Sequence, residues 1–548
     1  MSLATSTHPP PQSGAAESIE STPAPAGTGT SSGAVGQVLA RIFKPSLSDC
    51  FFIALILWMF VWGVSGWIAL LGDGDTGWHI RTGQYILEQH RVPTQDLFSF
   101  SRPGAPWFAW EWLTDVTYAV SFQMAGLKGI VLVAAVMIAL FATVVLRYTL
   151  WRGANALMAA VFTMLTVGAS SMHFLARPHL FTLLLLPVCL WLLEADRRKN
   201  TRWIWALIPV TAVWTNLHGG FLIFLACLGL LVAAYAIEMA LGHQTLGHQN
   251  REAAWRRIRR YSALLAGCSL ASLANPYGVQ LHVHIAEYLR ADWIRNLVQE
   301  FQAPTFRSEG QLQYELLLLA GLITTGFLFR RRMIAEGLWV LFLAHSSLIS
   351  VRHAPLYAAV AAPLIASEIS EWWRASVAGL RKSSVLRILY QLGEDLAPGF
   401  RRTSVWPAVL VLSLVALDAP FKWPRDFPDI MFPTAMIHQH ADLIASGRLL
   451  TPDQWGDYVI YSFYPRQKVY VDGRSDFYGE QLGQEYLHLM QGASDWKTIM
   501  DRNGFNIALL PVDWPLASML KLDPRWHVVQ DDTKAILFQR LSQQAPRN

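Results

Sequence analysis

Two aspartates, a histidine and an arginine crowd into LGDGDTGWHIR (residues 71–81), directly after the run FFIALILWMFVWGVSGWIAL, which carries no charge. A carboxylate at the rim of an apolar segment is incompletely solvated, so its pKa rises toward the range in which it can take up a proton. Paired carboxylates can also hold a divalent cation. Planar arginine forks offer the complementary chemistry, binding and neutralising an anion. Asp73 and Asp75 are candidates for the first two tasks, with His79 and Arg81 close behind. Farther along, WEW (110–112) contributes Glu111, ARPH (176–179) Arg177 and His179, NLHGG (216–220) His218, NPYG (275–278) Asn275, and VRHAP (351–355) Arg352 and His353. Each motif alone could simply cap or kink its own helix. In HVHIAEYLRADW, His282 and His284 are unsuited to share a metal from one helix, because positions i and i+2 do not lie on one face.

These groups need a scaffold, and the composition says which kind. With 53% hydrophobic residues, 15% charged and 23 tryptophans in 548 residues, the chain reads as a polytopic α-helical membrane protein. About eleven apolar segments are expected to span, near 49–71, 129–147, 154–172, 178–195, 202–217, 219–241, 261–275, 312–330, 334–351, 354–371 and 403–418. With the N-terminus inside, basic residues such as Arg41, Lys44, Arg147, Arg197, Arg256, Arg330 and Arg381 fall into inner loops, as the positive-inside rule requires. All six polar motifs then fall on the outer face, where ionisable groups are tolerated if they line a cavity or pair. The first outer loop, 72–128, is long. In it TGWHIRTGQYILEQH has two apolar edges, suiting a surface helix beneath other protein, and PWFAWEWLTDVTYAV reads as an interfacial helix.

Residues 1–40, rich in Ser, Thr, Pro, Ala and Gly, read as a disordered cytoplasmic tail. The four cysteines lie in or beside apolar spans, which leaves no CxxC metal site and no redox chemistry. A net charge of +5 comes from scattered loop residues, so nucleic acid is not an expected partner. From about 421 to 548 the pattern becomes that of a small α/β domain, with strands expected at YVIYSFY, KVYVDGR, NIALLP, WHVVQ and AILFQR and helices at EQLGQEYLHLM and SDWKTIMDRNG. Asp457, Asp472, Arg474 and Asp476 there are expected to form turns and a salt bridge.

The acid-x-acid pair Asp73-Gly74-Asp75 at the end of a first span, the long first outer loop, the many spans over 41–420 and the trailing outer domain resemble the GT-C membrane glycosyltransferases, including protein O-mannosyltransferases, aminoarabinose transferases and oligosaccharyltransferases. The resemblance implies a sugar donor on a polyprenyl phosphate, an acceptor that is protein, lipid or glycan, and an inverting transfer at the periplasmic face of a bacterial cell inner membrane, with the C-terminal domain periplasmic. Asp73 is then the expected base, with Asp75 orienting it, holding an acceptor hydroxyl or binding a metal. His79, Arg81, Glu111, Arg177, His179, His218, Asn275, Arg352 and His353 are the expected substrate contacts, and the arginines suit a phosphate leaving group. A divalent cation, magnesium or manganese, stays open, because the turn before ARPH lacks the second acidic motif of several members. WGDY (455–458) is similar to the WWDYG motif with which oligosaccharyltransferases contact acceptor peptides. Two rival readings remain, a transporter or lipid flippase and a non-catalytic envelope-assembly protein.

Overall fold

The computed structural model describes residues 42–62, 66–241, 248–308, 310–418 and 422–541. Of its two units, Met1–Lys44 and Pro45–Asn548, the first is described only from residue 42, so the expected tail and Arg41 lie outside the described residues. The second unit holds everything that follows.

Its helices are α1 (Leu47–Leu57), α2 (Trp67–Leu70), α3 (Asp75–Gln89), α4 (Trp112–Arg152), α5 (Ala156–Ser170), α6 (His179–Lys199), α7 (Leu207–Leu217), α8 (Phe221–Leu241), α9 (His248–Ala271), α10 (Val279–Arg290), α11 (Asp292–Leu297), α12 (Gln311–Arg330), α13 (Ile334–Ile349), α14 (Ala354–Val377), α15 (Val385–Leu396) and α16 (Trp406–Ala416). Among the described residues five stretches are long and apolar enough to cross a bilayer: Trp112–Arg152, Ala156–His173, His179–Lys199, Phe221–Leu241 and Gln311–Arg330. Three shorter apolar helices, Leu47–Phe60, Ile334–Ile349 and Trp406–Ala416, coincide with further expected spans. The rest of the expected eleven fall on helices as well. Of these, α7 is 11 residues long, α9 begins with a run of arginines, and α14 carries Glu368 and Glu371.

Helix α4 is the central post, packing on α1, α3, α5, α6 and α14. It joins the expected interfacial helix to the first full span across a kink, where Ala125 leaves helical geometry and Gly126 takes φ 61°. Gly153, at φ 104°, ends it, and Asn155 caps α5 by accepting the Leu157 N–H at 3.1 Å.

The C-terminal part adds α17 (Thr434–Gln439), α18 (Ala441–Ile444), α19 (Asp453–Phe463), α20 (Ser475–Gln491), α21 (Trp496–Asn503) and α22 (Pro515–Leu522). They surround a four-stranded sheet of β1 (Leu449–Leu450), β2 (Ile507–Pro511), β3 (Trp526–Asp531) and β4 (Ala535–Arg540), in the order β1-β2-β4-β3. Two of the expected strands differ. YVIYSFY lies mostly in α19, whose Trp455, Tyr458, Val459 and Ile460 are buried, so packing has overridden β propensity. KVYVDGR forms only isolated parallel bridges, Val469 with Ser99 and with Leu449, which tie it to the first loop.

Candidate functional site

Asp73 Oδ1 accepts the Asp75 N–H at 2.9 Å, satisfying one of the unpaired donors that open α3. Thr76, one residue on, donates its hydroxyl to Ala176 O at 2.8 Å, and Ala176 N–H donates to Leu70 O at 2.7 Å. The bend before α6 is thereby clamped to the lip of α3, and Arg177 is carried to the acids. Its guanidinium forks between them, Nη1 at 2.9 Å from Asp73 Oδ2 and Nη2 at 2.7 Å from Asp75 Oδ2. Burial pushes the Asp75 carboxyl up to about 7, against the pull of Arg177 and with Asp73 and Glu300 adding to the rise.

The glycines of DGDTG bring α19 against this lip. A Cβ built on Gly74 would lie 2.3 Å from Gln454 O, and one on Gly77 2.7 Å from Asp457 O, so only glycine permits the approach. Asp457 Oδ1 accepts the Gly473 N–H at 3.0 Å; its Oδ2 and Asp75 Oδ1 are buried beside the same residue with no hydrogen-bond partner among the described residues. A Cβ on Gly473 would meet those two oxygens at 3.0 and 1.8 Å. Burial and the neighbouring Asp75 push the Asp457 carboxyl well above the carboxylate range. The next residue, Arg474, is tied not only locally to Asp472 (2.6 Å) but also to Asp96 of the first loop at 2.8 Å.

A cavity of about 190 Å³ opens beside the lip, lined by Asp75, His79, Glu111, Arg177, His218 and Arg352 among others. Its wall is also apolar, with Trp110, Leu183, Ile223 and Leu356. Arg352 stands in the turn between α13 and α14, its guanidinium 4.3 Å from the Phe301 ring centroid, and its Nη1 is buried without a hydrogen-bond partner among the described residues. Glu300 sits between the two arginines at 3.8 Å from Arg177 Nη1 and 3.9 Å from Arg352 Nη1. Burial raises its carboxyl, but Arg352 and Arg177 outweigh that and hold it at about 2.

Glu111, at the start of α4, is placed differently. Its Oε2 is 3.8 Å from His79 Nε2 and its Oε1 3.7 Å from His218 Nε2, and no hydrogen bond reaches its carboxyl among the described residues. Burial pushes it up to about 8, with Arg177 opposing and Asp75 adding. Both rings are held from behind, His79 Nδ1 by Asp115 Oδ1 at 2.6 Å and His218 Nδ1 by Thr182 Oγ1 at 2.8 Å. Burial, reinforced by nearby cationic groups, lowers both imidazoles well below their usual value.

Most of the expected residues therefore share one cavity: Asp75, His79, Glu111, Arg177, His179, His218, Arg352 and His353 all line it. Asp73 does not line it, and both its oxygens are engaged, so its part in the geometry is to hold Arg177. Arg81 is turned away, donating to Tyr461 O at 2.7 Å and Gln84 Oε1 at 2.8 Å, because α19 offers its C-terminal carbonyls there. Asn275 is a turn former, accepting from Tyr277 N–H at 2.8 Å and donating to Ser272 O at 2.9 Å. His282 and His284 diverge, to Ser272 and Asp476.

Residues not singled out for the cavity beforehand include Asp115, His173, Thr182 and Tyr288, each hidden in or beside an apolar helix. The donors do not suit a divalent cation. Asp73 and Asp75 each give an oxygen to Arg177, and no group of three or more His, Cys, Asp or Glu is arranged to hold a metal ion among the described residues.

No family model matches the chain, and no curated protein matches it in sequence. Solved structures do resemble it. The oligosaccharyltransferase of Archaeoglobus fulgidus in its apo form is 12% identical, with a TM-score of 0.53 over 85% of this chain and 69% of that one. AglB, an archaeal oligosaccharyltransferase from the same organism solved with an inhibitory peptide and a dolichol-phosphate, is 12% identical, with a TM-score of 0.53 over 92% and 75%. ArnT from Cupriavidus metallidurans, bound to undecaprenyl phosphate, is 14% identical, with a TM-score of 0.47 over 93% and 99%. The two archaeal likenesses bear out the expected GT-C resemblance at the level of fold: this chain folds as those oligosaccharyltransferases do, and its own long apolar helices mark it as a membrane protein.

Proposed function

We propose that the protein is a glycosyltransferase that moves a sugar from a polyprenyl-phosphate donor to an acceptor hydroxyl or amide, with inversion, at a cavity facing the periplasm. One observation carries the reading: the guanidiniums of Arg177 and Arg352 line the same cavity as the Glu111 carboxyl, and among the described residues no hydrogen bond reaches that carboxyl or the buried Arg352 Nη1. A leaving phosphate needs fixed positive donors on one side of the anomeric carbon, and the incoming nucleophile needs a proton acceptor on the other. The apolar wall suits the first isoprene units. The likeness to a fold solved with dolichol-phosphate supports the same donor class. An orientation with about eleven spans and the segment after 421 outside agrees with the distribution of arginines along the chain.

In this scheme the acceptor atom attacks the anomeric carbon, the bond from that carbon to the phosphate oxygen breaks, and the electron pair leaves on phosphate beside Arg177 and Arg352. Asp73 and Asp75 fix the fork of Arg177. No step runs through a metal.

The test uses undecaprenyl phosphate as probe. Purified full-length protein in nanodiscs is expected to bind it, and Arg177→Ala and Arg352→Ala are each expected to weaken binding by about tenfold or more, equivalent to ~1.4 kcal/mol. Mass spectrometry of envelope glycans from a deletion strain should then show a missing sugar. A transporter or flippase would instead move lipid without a glycosylated product, and an assembly protein would show neither; unchanged binding in both variants sinks the proposal.

A further inference from the structure

The cavity holds several carboxyl groups, and their surroundings sort them. Asp75 is paired with Arg177 at 2.7 Å, Glu300 lies between two arginines, and Asp476 faces His284 Nε2 at 3.0 Å. To take a proton Asp75 and Glu300 must each give up an arginine, which holds Glu300 at about 2, while burial still brings Asp75 up to about 7 at the cost of its fork with Arg177. Asp115, fully buried, is occupied by His79. Glu111 differs from all of these in that no hydrogen bond reaches its oxygens among the described residues; two imidazoles stand off them at 3.7 and 3.8 Å.

The hydrogen bonds behind the His218 imidazole set which of its ring nitrogens carries hydrogen. Trp214 Nε1–H donates to Thr182 Oγ1 at 2.9 Å, which turns the Thr182 hydroxyl hydrogen toward His218 Nδ1; the Gly220 N–H also donates to Nδ1, at 3.0 Å. Nδ1 is therefore the acceptor, and the neutral ring carries its hydrogen on Nε2, facing Glu111. His79 is held differently. Its Nδ1 meets the Asp115 carboxyl at 2.6 Å, and because burial and the neighbouring Glu111 push that carboxyl well above the carboxylate range, either the ring N–H or the carboxyl O–H can donate there. Glu111 thus stands beside one fixed donor, His218 Nε2–H, which suits its ionised form.

Resting on the proposed transfer reaction, we infer that Glu111 is the catalytic residue that takes the acceptor's proton, and that His79 and His218 are positioning residues flanking its two oxygens. In the balanced step, the acceptor oxygen or nitrogen loses its proton to a Glu111 oxygen as its electron pair closes on the anomeric carbon, and the phosphate leaves with the pair from the broken bond. The new Glu111 O–H then faces His79 Nε2. At nearly 4 Å on both sides neither imidazole hydrogen-bonds Glu111 here, as befits contacts that tighten only when substrate is present. Burial, which pushes Glu111 up to about 8, places it where proton uptake is effective near neutral pH.

The groups facing Glu111 are His79 and Asp115 beside it, His218 from the end of α7, Arg177 ahead of α6, and Asp75, Asp476 and Arg352 across the cavity. Because its protonated form cannot act as a base, turnover is expected to rise with pH and level off above about 8.

The experiment measures undecaprenyl phosphate binding and, in host membranes supplying their own polyprenyl-phosphate sugars, the release of undecaprenyl phosphate. Glu111→Gln is expected to bind the probe within about twofold of wild type while turnover falls by about 10²-fold or more and loses its rise with pH. Glu111→Asp should recover part of the rate and keep the rise. His218→Gln should lower kcat and move the pH midpoint, which a merely structural role would not do. Turnover of Glu111→Gln within about threefold of wild type overturns this inference and leaves the transfer reaction standing. Wild-type protein that neither binds the probe nor releases it overturns both.

Discussion

The two ends of the helix bundle both bury ion pairs, and the difference between them separates scaffold from site. At the end away from the cavity, Arg260 grips Asp196 with two bonds of 2.8 and 2.9 Å, and Tyr261 adds a hydroxyl at 3.0 Å. Arg197 meets Glu336 at 2.7 Å, and Arg152 pairs with Glu194, which Tyr148 also contacts at 2.6 Å. Each acid there has its own arginine, and a tyrosine hydroxyl adds to Asp196 and to Glu194, although Arg152 Nε is buried without a hydrogen-bond partner among the described residues. At the cavity end one arginine serves Asp73, Asp75 and, loosely, Glu300, while among the described residues Glu111 pairs with no arginine or lysine and Arg352 Nη1 has no hydrogen-bond partner. One arginine to each acid balances charge and stabilises a fold; an acid left without a cation keeps bonding capacity for a ligand.

The sharpest way to break this contrast is Arg177. Arg177→Lys keeps the charge but cannot fork between two carboxylates, and turnover is expected to fall by about 10³-fold, with Arg177→Ala no better. Recovery by lysine to within tenfold of wild type would mean that charge alone matters at the lip. At the opposite end, Arg260→Ala strands the buried Asp196 carboxylate. A loss of about 3 kcal/mol of stability is expected, read as a lower midpoint in thermal unfolding, with kcat per folded molecule unchanged. A catalytic effect there would show that the two ends are not separable.

How far the sequence foretold this depends on what each residue's surroundings consist of. The runs of apolar residues and the two-edged pattern of TGWHIRTGQYILEQH are local signals, and α3 lies between α4 and α19 much as two apolar edges require. The meeting of the DGD lip with ARPH was expected from sidedness alone and is realised through Thr76 and Ala176. Arg81 and Asn275 carried the right chemistry in the wrong direction, because rotation about a helix axis and a turn's own hydrogen bonds decide where a side chain goes. Asp115 was read as part of an interfacial helix; its partnership with His79, 36 positions away, is a tertiary fact. The helix at YVIYSFY has the same origin. Its β-rich composition yields to burial against the glycines of α3.

Glu300 sharpens the comparison from inside the site. Held at about 2 by burial's opponents Arg352 and Arg177, it stays ionised at every working pH and competes for both guanidiniums. Its contacts, at 3.8 and 3.9 Å, are too long for hydrogen bonds, so it screens the arginines without saturating them. Glu300→Gln is expected to tighten undecaprenyl phosphate binding about fivefold, or ~1 kcal/mol. Weaker binding would show that the carboxylate is needed to hold the arginines in place.

The smallest effect tests the boundary of the site. Asn275 spends all its polar atoms on its own turn, accepting from Tyr277 and donating to Ser272 and Gly278 at 2.8 to 3.1 Å. Tyr277 in turn reaches across to the first loop, its hydroxyl donating to Pro93 O at 3.0 Å and accepting from the Ala109 N–H at 2.8 Å. Asn275→Ala should therefore cost about 1 kcal/mol of stability by loosening the turn, while undecaprenyl phosphate affinity stays within experimental scatter. Because Ala109 lies two residues before Glu111, a shift in the pH midpoint of turnover without a change in binding would mean that this outer turn helps to aim the carboxyl, which would extend the site by one layer of backbone.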